Sequence, residues 1–545
     1  MLRSRLLARA LGLAPPRTAV QVERNLPVEL SDGTVLRADR WFPAGEAGRA
    51  APILLARLPY PRGGTSGLGF RISAERGYQV IAVSVRGTFG STGEWRPFFN
   101  ERADGAAVLG WLAQQSWFVP QVGLIGGSYH GMTQWAVAHD LPEWVRCIAP
   151  AVTSSWFRDL VWPSDTFALE SMLTWIHGLE HQEQGVMRQV TAALRSRNVV
   201  RRAALAVPVG RADVAAVGHP VASFREWLAH EHRSDPYWQP LDFSAATRTA
   251  PPALLVAGWY DLFLPYQLDD YKRLIAAGRT ARLVVGDHWH GSPGGASLLT
   301  RESGDWCDQH LQGTGTPHRA PVRVRVMGEG RWRDLPSWPP PSTVTPFHLH
   351  AGGALSASPP SDNAATVYRY DPTDPTPSIG GAGLALGSGR KDQARREGRD
   401  DVVCFTTGPL DTDLTVIGEV TCDVHVRSSL EHTDFLLRLC EVLPNGRSYN
   451  VSDGLARLPR ADAVKQKDGT TLLRITLSPT AMTFRRGHRI RLQVSSGAHP
   501  LYARNPGSGE PLATATTLVA AHQQVLHDPR HPSVLLLPVV TDVCP

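Results

Sequence analysis

The chain is poor in cysteine. Six occur in 545 residues (Cys147, Cys307, Cys404, Cys422, Cys440 and Cys544), and no two form a CxxC pair. So few, so scattered, make no disulfide framework and no zinc-finger spacing. They read as reduced, mostly buried thiols, with a Cys422–Cys440 pairing across strands left open. Long apolar runs are missing as well: none reaches the roughly 20 residues that a membrane-spanning helix needs. Runs of one charge are also missing. The formal net charge is +6, but 56 Lys and Arg are spread among 50 Asp and Glu. With no basic run interleaved with aromatics and no recognition-helix signature, no nucleic-acid partner is expected. In the opening "MLRSRLLARALGLAPP", Arg5 and Arg9 break the apolar stretch, so the continuous h-region of a secretion signal is lacking. A cytoplasmic location is the expectation, and an Arg-rich transit peptide is the alternative.

What is present is alternation. The apolar runs "ILLARL" and "YQVIAVSV", the helical pattern "ERADGAAVLGWLAQQSW" and the run "VGLIGG" follow one another, which predicts strand, strand, helix, strand. Residues 152–249 are rich in Trp, Arg, Glu and Ala at helical spacing and predict a cap inserted over the sheet. "PPALLVAGWYD", "PYQLDDYKRLIAAG" and "ARLVVGDHWHG" then resume the alternation, giving a parallel α/β sheet from residues 1–151 and 250–318. The Pro-rich "LPSWPPPSTVTP" reads as a strap into a second domain, residues 319–545. There, short β-type runs punctuated by Asn445-Gly446 and Asp453-Gly454 predict an all-β jelly roll.

"VGLIGGSYHGMTQW" places Ser128 where a strand gives way to a helix. A serine hydroxyl is a weak nucleophile until a histidine takes its proton and an acid fixes that histidine's tautomer. A sharp strand-to-helix turn would expose Ser128 and aim the Tyr129 backbone N–H at a developing oxyanion. The match to G-x-S-x-G is imperfect, because His130 stands where the second glycine belongs and Gly131 follows. The competing reading is an ordinary glycine-rich turn with a serine capping a helix. Downstream, Asp261 follows "LLVAGWY" and His290 lies in "LVVGDHWHG", in the order serine, acid, histidine that an elbow fold requires.

These residues resemble the cocaine-esterase-like acyl esterases, relatives of the Xaa-Pro dipeptidyl-peptidases and α-amino-acid ester hydrolases. The elbow is similar to that family's G-x-S-Y-x-G form followed by "TQW", "GWYD" to its acid segment and "VVGDHWH" to its histidine segment. "RLPYPR", "SVRGTFGSTGEW", "DGLARL" and "YARNPG" extend the likeness over nearly the whole chain. The resemblance implies an α/β-hydrolase core with a helical cap and a galactose-binding-like jelly roll. It implies Ser128 as nucleophile, His290 as base, Asp261 as its orienting acid, and the Tyr60 hydroxyl as partner of the Tyr129 N–H in the oxyanion hole. No cofactor and no metal are expected.

Rivals stand beside each role. His288 could replace His290, His130 adjoins the serine, and Asp287, Asp269 or Asp270 could replace Asp261, the last two lying on a helix that reads as a solvated face. Phe263, Trp156, Trp162 and Trp175 are candidates for an apolar substrate pocket. "HGLEH", His177 to His181, matches the inverzincin pattern with Glu180 as base, but nothing else in the chain asks for zinc. The expected function is hydrolysis of acyl esters through a covalent acyl-enzyme, with a small-molecule ester or short peptide as substrate and no membrane partner. Family members that cleave α-amino-acid esters resemble one another in a carboxylate cluster near the acid that binds the substrate ammonium, and Leu262, Phe263 and Leu264 after Asp261 depart from it. The Xaa-Pro dipeptidyl-peptidases carry a substantial extra N-terminal domain, whereas this sheet is expected to begin almost at once, so peptidase action ranks second. A non-catalytic binding protein is the alternative from another class. Oligomeric state is not legible, and a homodimer is allowed for.

Overall fold

Strands buried along their whole length must be covered on both faces, which a parallel sheet flanked by helices provides. The computed structural model describes residues 2–541, apart from 14, 46, 47, 49, 317 and 318, and it contains such a sheet. Its strands are β1 (Val20–Glu29), β2 (Val35–Pro43), β3 (Ile53–Leu58), β4 (Gln79–Ser84), β5 (Val122–Gly127), β6 (Val145–Ala151), β7 (Ala253–Tyr260), β8 (Ala281–Trp289), β9 (Val322–Val326) and β10 (Arg331–Leu335). They lie side by side in the order β1-β2-β4-β3-β5-β6-β7-β8-β9-β10. From β4 to β9 every pairing is parallel, and antiparallel strands close both edges. β3, β4 and β7 are buried throughout.

The helices in chain order are α1 (Leu2–Ala10), α2 (Gly64–Ala74), α3 (Glu101–Ala113), α4 (Tyr129–Val137), α5 (Phe157–Val161), α6 (Leu169–His181), α7 (Val186–Ala203), α8 (Ala212–Val217), α9 (Ala222–Ala229), α10 (Leu264–Ala276) and α11 (Pro293–Cys307). α5 to α9 fall between β6 and β7, where the sequence predicts a cap. None of the described helices is long and apolar enough to cross a membrane.

The core sheet crosses residue 319, where the sequence divides the chain. β9 continues the parallel sheet beside β8, with Leu283 opposite Val322, and β10 folds back on β9. The core sheet therefore runs to Leu335, and the Pro-rich strap leaves directly from its edge. Beyond the strap lie an 11-stranded and a 4-stranded sheet, whose ladders are antiparallel. Asn445-Gly446 makes a turn, with the Gly446 N–H donating to the Leu443 carbonyl at 2.9 Å. Asp453-Gly454, expected to turn, instead lies inside the strand Ser448–Leu458. Cys422 and Cys440 are buried free thiols, as are Cys147 and Cys307, while Cys404 is free and half-buried. Cys422 and Cys440 sit on strands of different sheets. Cys544 lies outside the described residues.

Candidate active site

Ser128 occupies the turn between β5 and α4 with φ 59° and ψ −126°, a strained conformation for a residue bearing a β-carbon. The turn is held from the next strand, because the Ser128 N–H donates to the Ala151 carbonyl at 2.9 Å and the Thr153 hydroxyl donates to the Ser128 carbonyl at 2.9 Å. The unusual spacing of its glycines has a steric cause. Gly126 has φ 123°, and a β-carbon there would come within 2.5 Å of the His130 β-carbon, while one on Gly131 would come within 2.5 Å of the Thr153 methyl. Gly126, two residues before the serine, is what makes room for His130. The Ser128 side chain makes no capping bond to α4, contrary to the helix-cap reading, and instead faces a cavity.

That cavity, about 110 Å³, is bordered by Ser128, His290, Tyr60 and Tyr129 and walled by apolar side chains, among them Phe98, Trp175 and Phe263. His290 reaches it from the end of β8, and Asp261, at the end of β7, stands behind that imidazole, so Ser128, Asp261, His290 and Tyr60 all stand at the carboxyl edge of the sheet, where α/β folds place their sites. The His290 Nδ1 lies 2.9 Å from the Asp261 Oδ2. Asp261 is 1% exposed, and its Oδ1 accepts the Phe263 N–H at 2.9 Å, which leaves Oδ2 for the imidazole. The Tyr60 hydroxyl accepts the Trp175 indole N–H at 3.1 Å and shares the cavity wall with Ser128. Burial pushes its pKa up, so it remains a donor.

The Tyr129 phenol is committed elsewhere. It donates to Glu101 at 2.7 Å and accepts from the Trp95 indole and the Phe98 N–H, both at 3.2 Å. Glu101 pairs with Arg57 at 2.9 Å, and Arg57 also donates to the Thr133 carbonyl at 2.8 Å. This buried network under the elbow escapes sequence reading, although an arginine inside the otherwise apolar "ILLARL" is its trace. The Tyr129 backbone N–H lies in the first turn of α4, where N–H groups lack intrahelical partners.

The rivals fall away from the cavity. His130 donates from Nδ1 to the Gly127 carbonyl at 3.0 Å, and burial brings its pKa down to about 4. His288 packs its ring against Gly286, Gly294 and Gly295. Asp287 is exposed. Asp269 is also exposed and pairs with Lys272 at 3.5 Å. Asp270 is not on a solvated face: it is fully buried, accepting from the Ser155 N–H at 2.8 Å and the Ser155 hydroxyl at 2.5 Å.

Of the four pocket candidates, Trp175 and Phe263 line the cavity, and the Phe263 ring lies 5.4 Å from His290. Trp156 and Trp162 do not, which corrects that expectation. Trp162 is locked in the cap core, donating to the Trp227 carbonyl at 2.9 Å, and Trp156 lies under the Arg233 guanidinium at 4.0 Å. A contribution not anticipated is Leu384, brought by the β domain on the glycine-rich stretch "GGAGLALGSG". In "HGLEH", Glu180 pairs with His219 at 2.9 Å rather than standing between two histidines. No grouping of three or more His, Cys, Asp or Glu among the described residues is arranged to hold a metal ion.

Residues 32–292 match the X-Pro dipeptidyl-peptidase (S15) family and residues 315–536 match the X-Pro dipeptidyl-peptidase C-terminal non-catalytic domain. In overall fold the chain is similar to an α-amino acid ester hydrolase (TM-score 0.80, 22% identity, 97% of this chain and 98% of the other). It is likewise similar to an aminopeptidase from a marine sediment Thaumarchaeota archaeon (TM-score 0.79, 20% identity, 97% and 98% covered). In sequence it is 31% identical to the cocaine esterase of Rhodococcus sp. (strain MB1 Bresler), over 95% of this chain and 98% of the relative. Joined to the S15 match, that likeness over almost the full length of both proteins shows that this chain belongs to the cocaine-esterase-like family of serine hydrolases.

Proposed function

We propose that the protein hydrolyses carboxylic esters with a compact, apolar acyl group through a Ser128–His290–Asp261 triad. The observation that carries this reading is the 2.9 Å contact of His290 Nδ1 with buried Asp261, on an imidazole that shares a small apolar chamber with Ser128. With Nδ1–H held by the carboxylate, Nε2 is the basic nitrogen. It takes the Ser128 proton as the oxygen attacks the ester carbonyl. The Tyr60 hydroxyl and the Tyr129 N–H receive the negative charge that develops on the carbonyl oxygen. His290 then gives the proton to the departing alcohol. A water deprotonated by the same nitrogen attacks the acyl-serine, releasing the acid and restoring Ser128.

The chamber suits the acyl side because its walls are apolar and no carboxylate is among the described residues that line it. An α-ammonium would be desolvated there without a partner, so ester cleavage is favoured over removal of N-terminal dipeptides. The relative named for cleaving an ester points the same way. Fluorophosphonate labelling with intact-mass detection, alongside turnover of p-nitrophenyl butyrate and an X-Pro p-nitroanilide, tests the reading. One adduct on Ser128, loss of both adduct and turnover in Ser128→Ala, and preference for the ester are expected. Full activity in folded Ser128→Ala would refute the mechanism, and faster cleavage of the anilide would make the protein a peptidase.

A further inference from the structure

The chamber's wall includes two side chains with open space behind them. Leu160 and Leu262 line the chamber of about 110 Å³ and also line a second cleft of about 580 Å³, where cap, core sheet and β domain meet. They are the two residues common to both linings. The cleft is polar where the chamber is apolar. Arg158, Asp159 and Arg233 face it from the cap, Lys272 from α10 and Asp453 from the β domain.

Both leucines are braced. Leu262 rides on the turn after β7, which Asp261 fixes by accepting the Phe263 N–H on its side chain at 2.9 Å and the Leu264 N–H on its carbonyl at 3.1 Å. Leu160 lies on the short helix α5, two residues from Arg158. That guanidinium donates to the Trp162 carbonyl at 3.2 Å, the Glu231 carbonyl at 2.8 Å and Asp165 at 2.7 Å. Elements tied this firmly present a wall rather than a swinging lid.

We propose that Leu160 and Leu262 determine acyl length, forming a partition one side chain thick that stops the acyl group short of the polar cleft. This rests on the reading of the chamber as the acyl site. A compact acyl group fits in front of the partition, whereas an extended chain must displace a braced leucine. Removing both joins the two spaces, and the combined site then suits an acyl group with an apolar stem and a hydrogen-bonding far end.

The test compares kcat/KM for p-nitrophenyl butyrate, octanoate and 8-hydroxyoctanoate. The proteins are the native enzyme, Leu160→Ala, Leu262→Ala, the double variant, and Met172→Ala as a control in the chamber wall away from the cleft, each checked for folding by thermal melting. The double variant is expected to raise the octanoate-to-butyrate ratio at least about tenfold, each single variant about threefold, and the hydroxylated chain is expected to gain more than octanoate. Met172→Ala is expected to leave the ratio essentially unchanged, within about 1.5-fold and so clearly below the single variants. If the double variant does not fold, the single variants decide. An unmoved ratio in folded variants that still cleave butyrate overturns the partition alone. A ratio raised equally in Met172→Ala also overturns it, since general loosening would then explain the effect. No turnover of any ester by the native enzyme, with no fluorophosphonate adduct, removes the esterase reading and the partition with it.

Discussion

Tyr60 and Tyr129 both border the chamber, yet only one offers its hydroxyl. The Tyr129 phenol donates to Glu101 at 2.7 Å and is itself bonded by two N–H groups, so in the proposed mechanism only its backbone N–H is left for the oxyanion. The Tyr60 oxygen accepts the Trp175 indole at 3.1 Å, which leaves its own proton to be donated on the chamber side that it shares with Ser128 in the proposed mechanism. Because burial raises the Tyr60 pKa, that proton stays in place across the working range of a histidine base. A preorganised donor at the oxyanion contributes about 10²–10³-fold to kcat. Tyr60→Phe is therefore expected to lower kcat by that factor with KM little changed, as read from steady-state kinetics on a short aryl ester. An unaltered kcat would place the second oxyanion donor elsewhere.

At the scale of elements, the sequence carries whatever burial writes into it. β3, β4 and β7 are legible because strands covered on both faces must be apolar throughout, and the triad candidates are legible because each stands just past a strand of the same sheet. β9, "VRVRV", is not, since its alternation fits an antiparallel edge equally well and only its pairing with β8 assigns it to the core. Asp453-Gly454 has turn composition for another reason: a β-carbon on Gly454 would come within 2.6 Å of the Thr476 carbonyl, so glycine answers a neighbouring strand rather than a bend. Trp175 and Trp162 cannot be told apart by composition, because which face of the cap an indole occupies depends on how the helices pack. The elbow also carries a prediction. Burial lowers the His130 pKa to about 4, below the unfolded value of about 6.5, so between these pH values the unfolded chain binds more protons than the folded one. The stability contributed by neutral His130 is present above pH 6.5 and is lost as pH falls toward 4, at up to about 1.4 kcal/mol per unit. Urea unfolding at pH 7.5 and 4.5 should show a smaller loss in His130→Gln than in the native protein. Equal losses would mean that this ring does not govern acid sensitivity.

At the scale of the whole molecule, the chamber is complete only when the two domains meet. Leu384 reaches it from the β domain on a loop whose neck is closed by two bonds between Gly381 and Gly389, both at 2.9 Å. Behind the neck, Arg438 donates to the Ile379 carbonyl at 2.7 Å and pairs with Asp453. The Asn450 side-chain amide donates to the Gly389 carbonyl at 3.1 Å, while the Asn450 backbone carbonyl accepts the hydroxyl of Tyr260, one residue before Asp261, at 3.1 Å. The β domain is thus tied to the strand that presents Asp261, the acid of the proposed triad, and supplies a wall of the chamber at the same time. Contact with one leucine is worth about 1.5 kcal/mol or more of apolar burial, or about tenfold in affinity. Leu384→Ala is expected to raise KM for a benzoyl ester about tenfold while shifting the melting temperature little, because Leu384 is half-buried on a loop. A KM that does not move would make the loop a bystander and return the whole acyl site to the α/β domain and its cap.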